Sequence, residues 1–256
     1  MHNHYIKLLL LAVSIFFSIN LLAEKSEDTT EQEEKMEDKA LKGNIDFGYV
    51  STSGNSETTN LNGTFNIEKY FFNWLHQVKL GAISNSDQNE TTTERFKLEY
   101  QVNRKYHDNR YLFINTSYEE DKFSGFDNVI NLVTGYGFNA YDEDNMSIYA
   151  EMGIGYRESK LATVTDTTTS EYISETQARL AAKYNWDFKE DQKLTADLTV
   201  DIGEETTISN LDISYASKIA GDFSMKVGYI AKHTSDVPDD KENLDTIVAI
   251  KLSYSF

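Results

Sequence analysis

The sequence predicts an all-β protein, a 12-stranded antiparallel transmembrane β-barrel of the outer membrane. The first observation is that apolar residues recur at every second position from residue 43 to the C-terminus, which is the period of a β-strand. The second is a composition of 16 Tyr, 14 Phe and one Pro in 256 residues, which favours long strands. The third is that the chain ends on Phe256, at the end of such an alternating segment.

The charge and the cysteine content exclude several classes of protein. With 42 acidic against 24 basic side chains and a formal charge of −18, the chain lacks the excess of Lys and Arg that binding to nucleic acid requires. Because it contains no Cys, it forms no disulfide and no thiolate metal site. Hydrophobic residues make up 39% of the chain, which is too many for a disordered protein of this aromatic content.

The chain divides into three parts. Residues 1–23 have a Lys in the first seven positions, an apolar run and Ala23, which is the plan of a secretory signal peptide. A transmembrane anchor is the alternative, but the run is shorter than the roughly 20 residues that a spanning helix needs. Residues 24–42 are acidic and polar, and they predict a periplasmic tether, with a binding arm as the alternative. Residues 43–256 form the predicted barrel.

Twelve alternating segments follow one another along the barrel region. In chain order they contain Phe47, Phe65, Leu80, Leu98, Ile114, Leu132, Met152, Leu180, Leu198, Ile213, Val227 and Ile250. The predicted connections alternate in length, as they do in outer-membrane barrels. Tight connections are expected at His107–Arg110, Asp142–Asn145 and Gly221–Asp222, and longer ones at Asn85–Thr92, Glu119–Asp127, Glu158–Tyr172 and Thr234–Asn243.

Alternation alone does not separate a membrane barrel from a soluble barrel with an apolar interior. Twelve strands, however, enclose more volume than apolar side chains fill, since about eight strands is the filled size. Aromatic residues also crowd the predicted tight turns, as in an interfacial girdle, for example at Tyr70, Trp74, Tyr106 and Trp186. These observations place the apolar face in lipid and the polar face in the lumen.

Several segments resemble a known family. Gly48–Thr58 (GYVSTSGNSET), Thr93–Arg95 (TER), Tyr118–Asp127 (YEEDKFSGFD) and Leu252–Phe256 (LSYSF) are similar to the hallmarks of the salt-induced, YdiY-like outer-membrane protein family. The resemblance covers the barrel region and implies an outer-membrane β-barrel, without catalytic or ligand-binding residues to transfer.

The motifs within these segments have structural interpretations. Ser53-Gly54-Asn55 predicts a tight hairpin, and Phe123–Asp127 predicts an ordered external loop. Four glycines fall on lumen-facing positions of neighbouring strands, where glycine indicates curvature or a closely packed neighbour: Gly135, Gly137, Gly153 and Gly155. A ligand groove is the alternative.

The histidines give little indication of catalysis. His233 and Ser235 are two residues apart, as in the H-x-S pair of outer-membrane phospholipases, but Asp236 and Val237 replace the Asn-Gly that follows there. No Asn is evident to orient His233 as a catalytic triad requires. The sequence therefore predicts no enzyme, no catalytic residue, no cofactor and no metal site, with a phospholipase-like hydrolase as a remote alternative.

Charged residues of both signs lie on the predicted lumen face. They are Lys97, Glu99, Glu151, Glu175, Arg179, Lys183, Asp197, Asp201, Lys226, Lys232, Asp245 and Lys251. Either these groups pair and close the lumen, giving a structural or stress-associated envelope component, or they line a small porin-like channel for ions or small solutes. The first hypothesis is preferred, because no ring of one sign of charge is evident.

The remaining expectations concern location and partners. A chain with this signal peptide and barrel belongs in the outer membrane of a Gram-negative bacterium, with both termini in the periplasm. Its expected partners are outer-membrane lipids and, in transit, periplasmic chaperones and the barrel assembly machinery, for which Tyr254 and Phe256 would form the assembly signal.

Overall fold

The computed structural model describes residues 41–52, 58–87, 90–121, 126–161, 172–237 and 242–256. The described chain forms a closed barrel of antiparallel strands in which each strand pairs with its neighbours in sequence and the first pairs with the last. The strands are β1 (Lys42–Thr52), β2 (Thr58–Phe71), β3 (Trp74–Asp87), β4 (Glu90–His107), β5 (Arg110–Asp121), β6 (Phe126–Glu143), β7 (Met146–Leu161), β8 (Tyr172–Lys189), β9 (Gln192–Gly203), β10 (Thr207–Ala220), β11 (Phe223–Thr234) and β12 (Leu244–Ser255). The predicted fold class is confirmed. Among the described residues, no helix has the length and apolar character needed to cross a membrane.

One end of the barrel, which we call the turn rim, carries two-residue turns and the point where the start of β1 meets the end of β12. The turns comprise residues 72–73, 108–109, 144–145, 190–191 and 221–222. Gly221 takes the left-handed conformation that a tight turn requires, with φ 55°. Gly43 and Phe256 exchange backbone hydrogen bonds at 2.8 and 2.9 Å. The three tight connections predicted from the sequence are therefore confirmed.

At the opposite end, the loop rim, the structure describes the connection at residues 204–206 and parts of the one after β11, residues 235–237 and 242–243. The predicted long connection at Asn85–Thr92 is wrong, because β3 and β4 pair as far as Asp87 and Glu90. The polar residues there continue the ladder above the apolar zone. Glu119–Asp121 likewise belongs to β5 and Asp127 to β6. The predicted hairpin at residues 53–55 and most of the predicted loop at 123–127 lie outside the described residues.

The two faces of the sheet have the polarity of a membrane barrel. Ile154 and Val248 point outward and are 72% and 71% exposed, whereas Asp46 and Arg157 point inward and are each 1% exposed. Apolar side chains outside and charged side chains inside suit a hydrocarbon solvent, which requires backbone polar groups to be paired within a closed ladder.

An apolar cluster nevertheless fills part of the interior. Tyr111 and Phe113 of β5 and Val133 of β6 are buried together on the inward face. The four predicted glycines lie beside it on β6 and β7. A Cβ atom added at Gly137 would be 2.2 Å from Cζ of Tyr111, and one added at Gly153 would be 3.1 Å from Cζ of Phe113. This agrees with the close-packing interpretation of these glycines.

Replacement of Gly135 tests this packing. A Cβ atom there would be 2.1 Å from the carbonyl oxygen of Met152, so Gly135→Ala should lower the free energy of unfolding by about 1–3 kcal/mol, measured by urea titration in lipid. Gly81→Ala on β3 is the control, since no atom lies within 4 Å of its added Cβ, and it should change the value by less than about 0.5 kcal/mol. Equal effects of the two variants would contradict the packing argument.

Candidate functional site in the barrel lumen

The inward face gathers the charged residues into a network. Of the sequence-predicted residues, β4 contributes Lys97 and Glu99, β7 contributes Glu151, β8 contributes Glu175, Arg179 and Lys183, β9 contributes Asp197 and Asp201, β11 contributes Lys226 and Lys232, and β12 contributes Asp245 and Lys251. Since side chains alternate across a strand, each of these positions follows from the register of its strand.

The most buried ion pair joins Arg157 of β7 to Glu175 of β8. Nε and Nη2 of Arg157 lie 3.0 and 2.5 Å from Oε1 of Glu175. The other carboxylate oxygen accepts a hydrogen bond from the backbone N of Glu205 at 2.9 Å, and Arg157 Nη2 also donates to the carbonyl oxygen of Thr206. These hydrogen bonds therefore attach the connection between β9 and β10 to the side chains of β7 and β8 at the loop-rim end of the lumen.

A second buried pair joins Arg179 of β8 to Asp201 of β9. The contact is bidentate, with Nε to Oδ1 at 2.6 Å and Nη2 to Oδ2 at 2.9 Å. The remaining guanidinium nitrogen, Nη1, donates to Oδ1 of Asn115 on β5 at 2.8 Å. Asn115 in turn donates to Glu99 at 3.1 Å. The guanidinium therefore links strands that are not neighbours in the sheet.

Of the two ion pairs that join opposite strands in the described barrel, the less exposed is that of Lys232 and Glu119. Lys232 Nζ of β11 lies 2.5 Å from Oε1 of Glu119 on β5, and these strands are six apart in the ring of twelve, which makes them opposite. The two side chains are only 9% and 13% exposed. Arg95 of β4 extends this group, with Nε 2.7 Å from Asp121 and Nη2 3.6 Å from Asp245 of β12.

Side chains in the half of the lumen toward the turn rim are more exposed to solvent. Lys79 of β3 and Asp197 of β9 also lie on opposite strands, 3.9 Å apart, but their side chains are 45% and 38% exposed. Glu151 accepts hydrogen bonds from Gln101 and Tyr111, each at 2.8 Å.

The remaining predicted cations lie on β8, β11 and β12. Lys226 contacts Asp46 at 3.0 Å, and that carboxylate also accepts a hydrogen bond from Ser253 at 2.6 Å. Lys183 lies opposite Asp197 in the ladder of β8 and β9, and Lys251 lies opposite Lys226. Lys226 is therefore paired with Asp46, and Lys251 lies beside Lys226 in the ladder.

The buried pairs surround a small cavity in the loop-rim half. Its volume is about 40 Å³, and its lining includes Arg157, Arg179, Lys232, Glu119 and Asp201. A water molecule needs roughly 10–15 Å³, so this space holds about three of them. We call this group of buried ion pairs around the cavity the lumen plug.

Sequence reasoning missed six charged members of the network described above, among them the paired residues Arg95 and Asp121. Arg157 lies within a glycine-rich segment and Glu119 within an acidic run that suggested a loop. Asp46 and Lys79 were not singled out, although each lies on an alternate, inward position of its strand. The inward position of each in the alternation of β1, β3, β4, β5 or β7 was the signal that would have found them.

The His233 and Ser235 pair has a structural role on the serine side. β11 ends at Thr234, and Ser235 Oγ accepts a hydrogen bond from the backbone N of Thr207 at 2.9 Å. His233 lies opposite Leu244 in the ladder, on the outward face. The serine hydroxyl thus extends the pairing of β10 and β11.

Comparison with known proteins places the chain in a family. The model of the family described as "Protein of unknown function, DUF481" matches residues 45–256. The chain belongs to this family. "Uncharacterized protein YdiY" from Escherichia coli strain K12 is 26% identical over 97% of this chain and 96% of its own length. The YdiY-like resemblance seen in the sequence is therefore confirmed.

Solved barrels share the fold of this DUF481 protein. The translocator domain of the autotransporter NalP from Neisseria meningitidis aligns with a TM-score of 0.51 and 14% identity, over 87% of this chain and 90% of that domain. The NanC porin aligns with a TM-score of 0.46 and 14% identity, over 85% and 99%. The likeness to NalP concerns the fold alone, a closed β-barrel of the kind found in outer-membrane proteins.

Removal of one partner of a buried pair tests the lumen plug. Arg179→Met leaves the carboxylate of Asp201 buried without its cation, so the free energy of unfolding should fall by about 3–5 kcal/mol. Lys193→Met is the control, because Lys193 and Asp187 form an exposed pair at 3.5 Å, and its loss should cost less than about 1 kcal/mol. Urea titration in lipid measures both; equal losses would show that the Arg179 pair is not buried.

Proposed function

We propose that this protein is a structural component of the outer membrane, with a lumen closed by its own side chains. The observation that carries this proposal is the ion pair of Lys232 and Glu119, which joins opposite walls of the barrel. A conducting pore needs a continuous water-filled path lined by groups that ions enter and leave. A pair that spans the lumen, next to a cavity of about 40 Å³, interrupts such a path.

The balance of charge supports closure over conduction. The network joins each buried Arg to a carboxylate through short hydrogen bonds, so both members of each pair are neutralised locally. Opening the lumen would require these pairs to separate, which their short hydrogen bonds oppose. Selective channels instead present rings of one sign of charge to the solute.

We further propose an orientation and a set of partners. Short turns face the periplasm in outer-membrane barrels, so the turn rim and both chain ends belong on the periplasmic side. A signal peptide over residues 1–23 and a tether over 24–42 are consistent with this orientation. Lipids surround the outward face, and periplasmic chaperones and the barrel assembly machinery act in transit.

The positions of Tyr254 and Phe256 support their proposed role as the signal that the barrel assembly machinery binds. Phe256 follows the last strand and exchanges backbone hydrogen bonds with Gly43, and the Tyr254 ring lies 6.2 Å from its ring. The assembly machinery would bind these residues before the barrel closes.

Phe256→Ala separates assembly from stability. In cells the variant should give less folded protein in the outer membrane, because the terminal aromatic is the assembly signal. After refolding from urea into detergent it should reach the native fraction, assayed by heat-modifiable migration on a gel. Ile219→Ala, which removes another exposed outward side chain near the turn rim, is the control. Normal assembly of Phe256→Ala in cells would refute the signal.

Planar-bilayer conductance tests the closed lumen. The refolded native protein should show no reproducible steps of ionic current. The double variant Glu119→Ala, Lys232→Ala should show them, because the ion pair that spans the lumen is removed. Lys193→Ala, Asp187→Ala is the matched control, because it removes an exposed ion pair between neighbouring strands without changing the net charge.

Other outcomes would assign a different function. Reproducible steps in the native protein, altered by Lys97→Gln or Asp197→Asn, would identify a porin-like channel and end the closed-lumen proposal. Lipid hydrolysis that Ser235→Ala abolishes would identify a phospholipase-like hydrolase instead.

A further inference from the structure

A group of cations and aromatic rings occupies the outward face of β2 to β5 near the turn rim. Lys69, Phe71, Trp74, Arg104 and Arg110 make up this group, which we call the basic aromatic patch. Each lies on a position that alternates with the inward-facing residues of its strand.

The strand register brings these side chains together. Phe71 and Trp74 are directly paired across β2 and β3, and Trp74 is paired with Arg104 across β3 and β4. Lys69 Nζ lies 4.5 Å from the centroid of the Phe71 ring. Arg104 Cζ lies 5.3 Å from the centroid of the Trp74 ring. Two adjacent rings are therefore flanked by a cation on each side, within cation–π distance.

A third cation lies next along the rim. Arg104 is paired with Leu112 of β5, two residues from Arg110, so the two guanidinium groups start from diagonal positions on adjacent strands. Residues in this relation are separated by about 7–8 Å between their backbones, within reach of long side chains. Both arginines are exposed.

This concentration of positive charge contrasts with the rest of the protein. The chain has a formal charge of −18. The outward face of β9 to β12 near the same rim carries aromatic residues instead, such as Tyr215, Phe223 and Tyr254. Asp108 lies in the turn after β4, and Glu143 is the last residue of β6.

We propose that the basic aromatic patch binds the phosphate of an anionic glycerophospholipid in the leaflet at the turn rim. Aromatic rings at a rim lie at the level of the lipid head groups, which puts the three cations at phosphate depth. Guanidinium groups bind phosphate oxygens through two parallel hydrogen bonds. The faces of the Phe71 and Trp74 rings orient Lys69 and Arg104. The acyl chains of the lipid contact the apolar side chains closer to the middle of the membrane.

Contact quenching of tryptophan fluorescence tests this site, since the chain has only two Trp residues. Trp74 belongs to the patch, and Trp186 lies near the same rim on β8, away from the patch. The Trp186→Phe variant therefore reports on the patch, and Trp74→Phe reports on a matched position elsewhere. Each is refolded into phosphatidylcholine vesicles containing phosphatidylglycerol with brominated chains, or brominated phosphatidylcholine at the same fraction.

Brominated phosphatidylglycerol should quench Trp74 with an apparent affinity about fivefold above that of brominated phosphatidylcholine, which is the effect of one cation near an anionic surface. Trp186 should show no preference. Adding Lys69→Gln or Arg104→Gln to the Trp186→Phe variant should reduce the preference, and high salt should weaken it. Lys193→Gln, which makes the same change of charge on β9, should leave it intact.

Three results would overturn the proposal. They are equal quenching of Trp74 by the two lipids at low salt, an equal preference at Trp186, and an unchanged preference in Arg104→Gln. Heat-modifiable migration on a gel verifies that each variant is folded before the measurement. Because the readout is lipid contact, it is independent of whether the lumen conducts.

Discussion

The structure depends on closing the hydrogen-bonded ladder between the first strand and the last. In hydrocarbon, each unpaired backbone N–H or C=O costs several kcal/mol, so an open sheet edge is not tolerated. β1 pairs with β2 along its whole length, Lys42–Thr52, but with β12 only over Asn44–Phe47. The exchange of hydrogen bonds between Gly43 and Phe256 completes this seam at the turn rim. The final residue of the chain is therefore part of the closure.

Closure creates an interior that apolar side chains alone do not fill, and the chain solves this with long charged side chains in pairs. At Arg157 and Arg179 the planar guanidinium satisfies a carboxylate and a second acceptor together. Lys232 is as buried as Arg179 and contacts a single carboxylate, Glu119. Lys79 is more exposed and lies 3.9 Å from Asp197. The apolar cluster of Tyr111, Phe113 and Val133 is buried on the inward face of β5 and β6.

Alternation predicted the strands, their number and the inward position of most charged residues. It did not predict which charges meet, because a period of two assigns a face but not the strand on the opposite wall. The contact of Lys232 with Glu119 depends on the order of strands around the ring, which no local pattern encodes. β5 also interrupts the simple pattern, since Leu112, Phe113 and Ile114 are apolar on both faces. The acidic run ending at Asp121 resembled a loop because the cations that pair with it, Arg95 and Lys232, come from other strands.

The absence of Cys from the chain allows a direct measurement of which solvent reaches each face. Single cysteines at Leu132, on the outward face, and at Ser117, beside the cavity, are reacted with a membrane-impermeant maleimide after refolding into lipid vesicles. The account predicts that neither reacts in the folded protein and that both react after unfolding. Reaction at position 117 alone would mean that water fills the lumen, and reaction at position 132 would mean that the outward face is not in lipid.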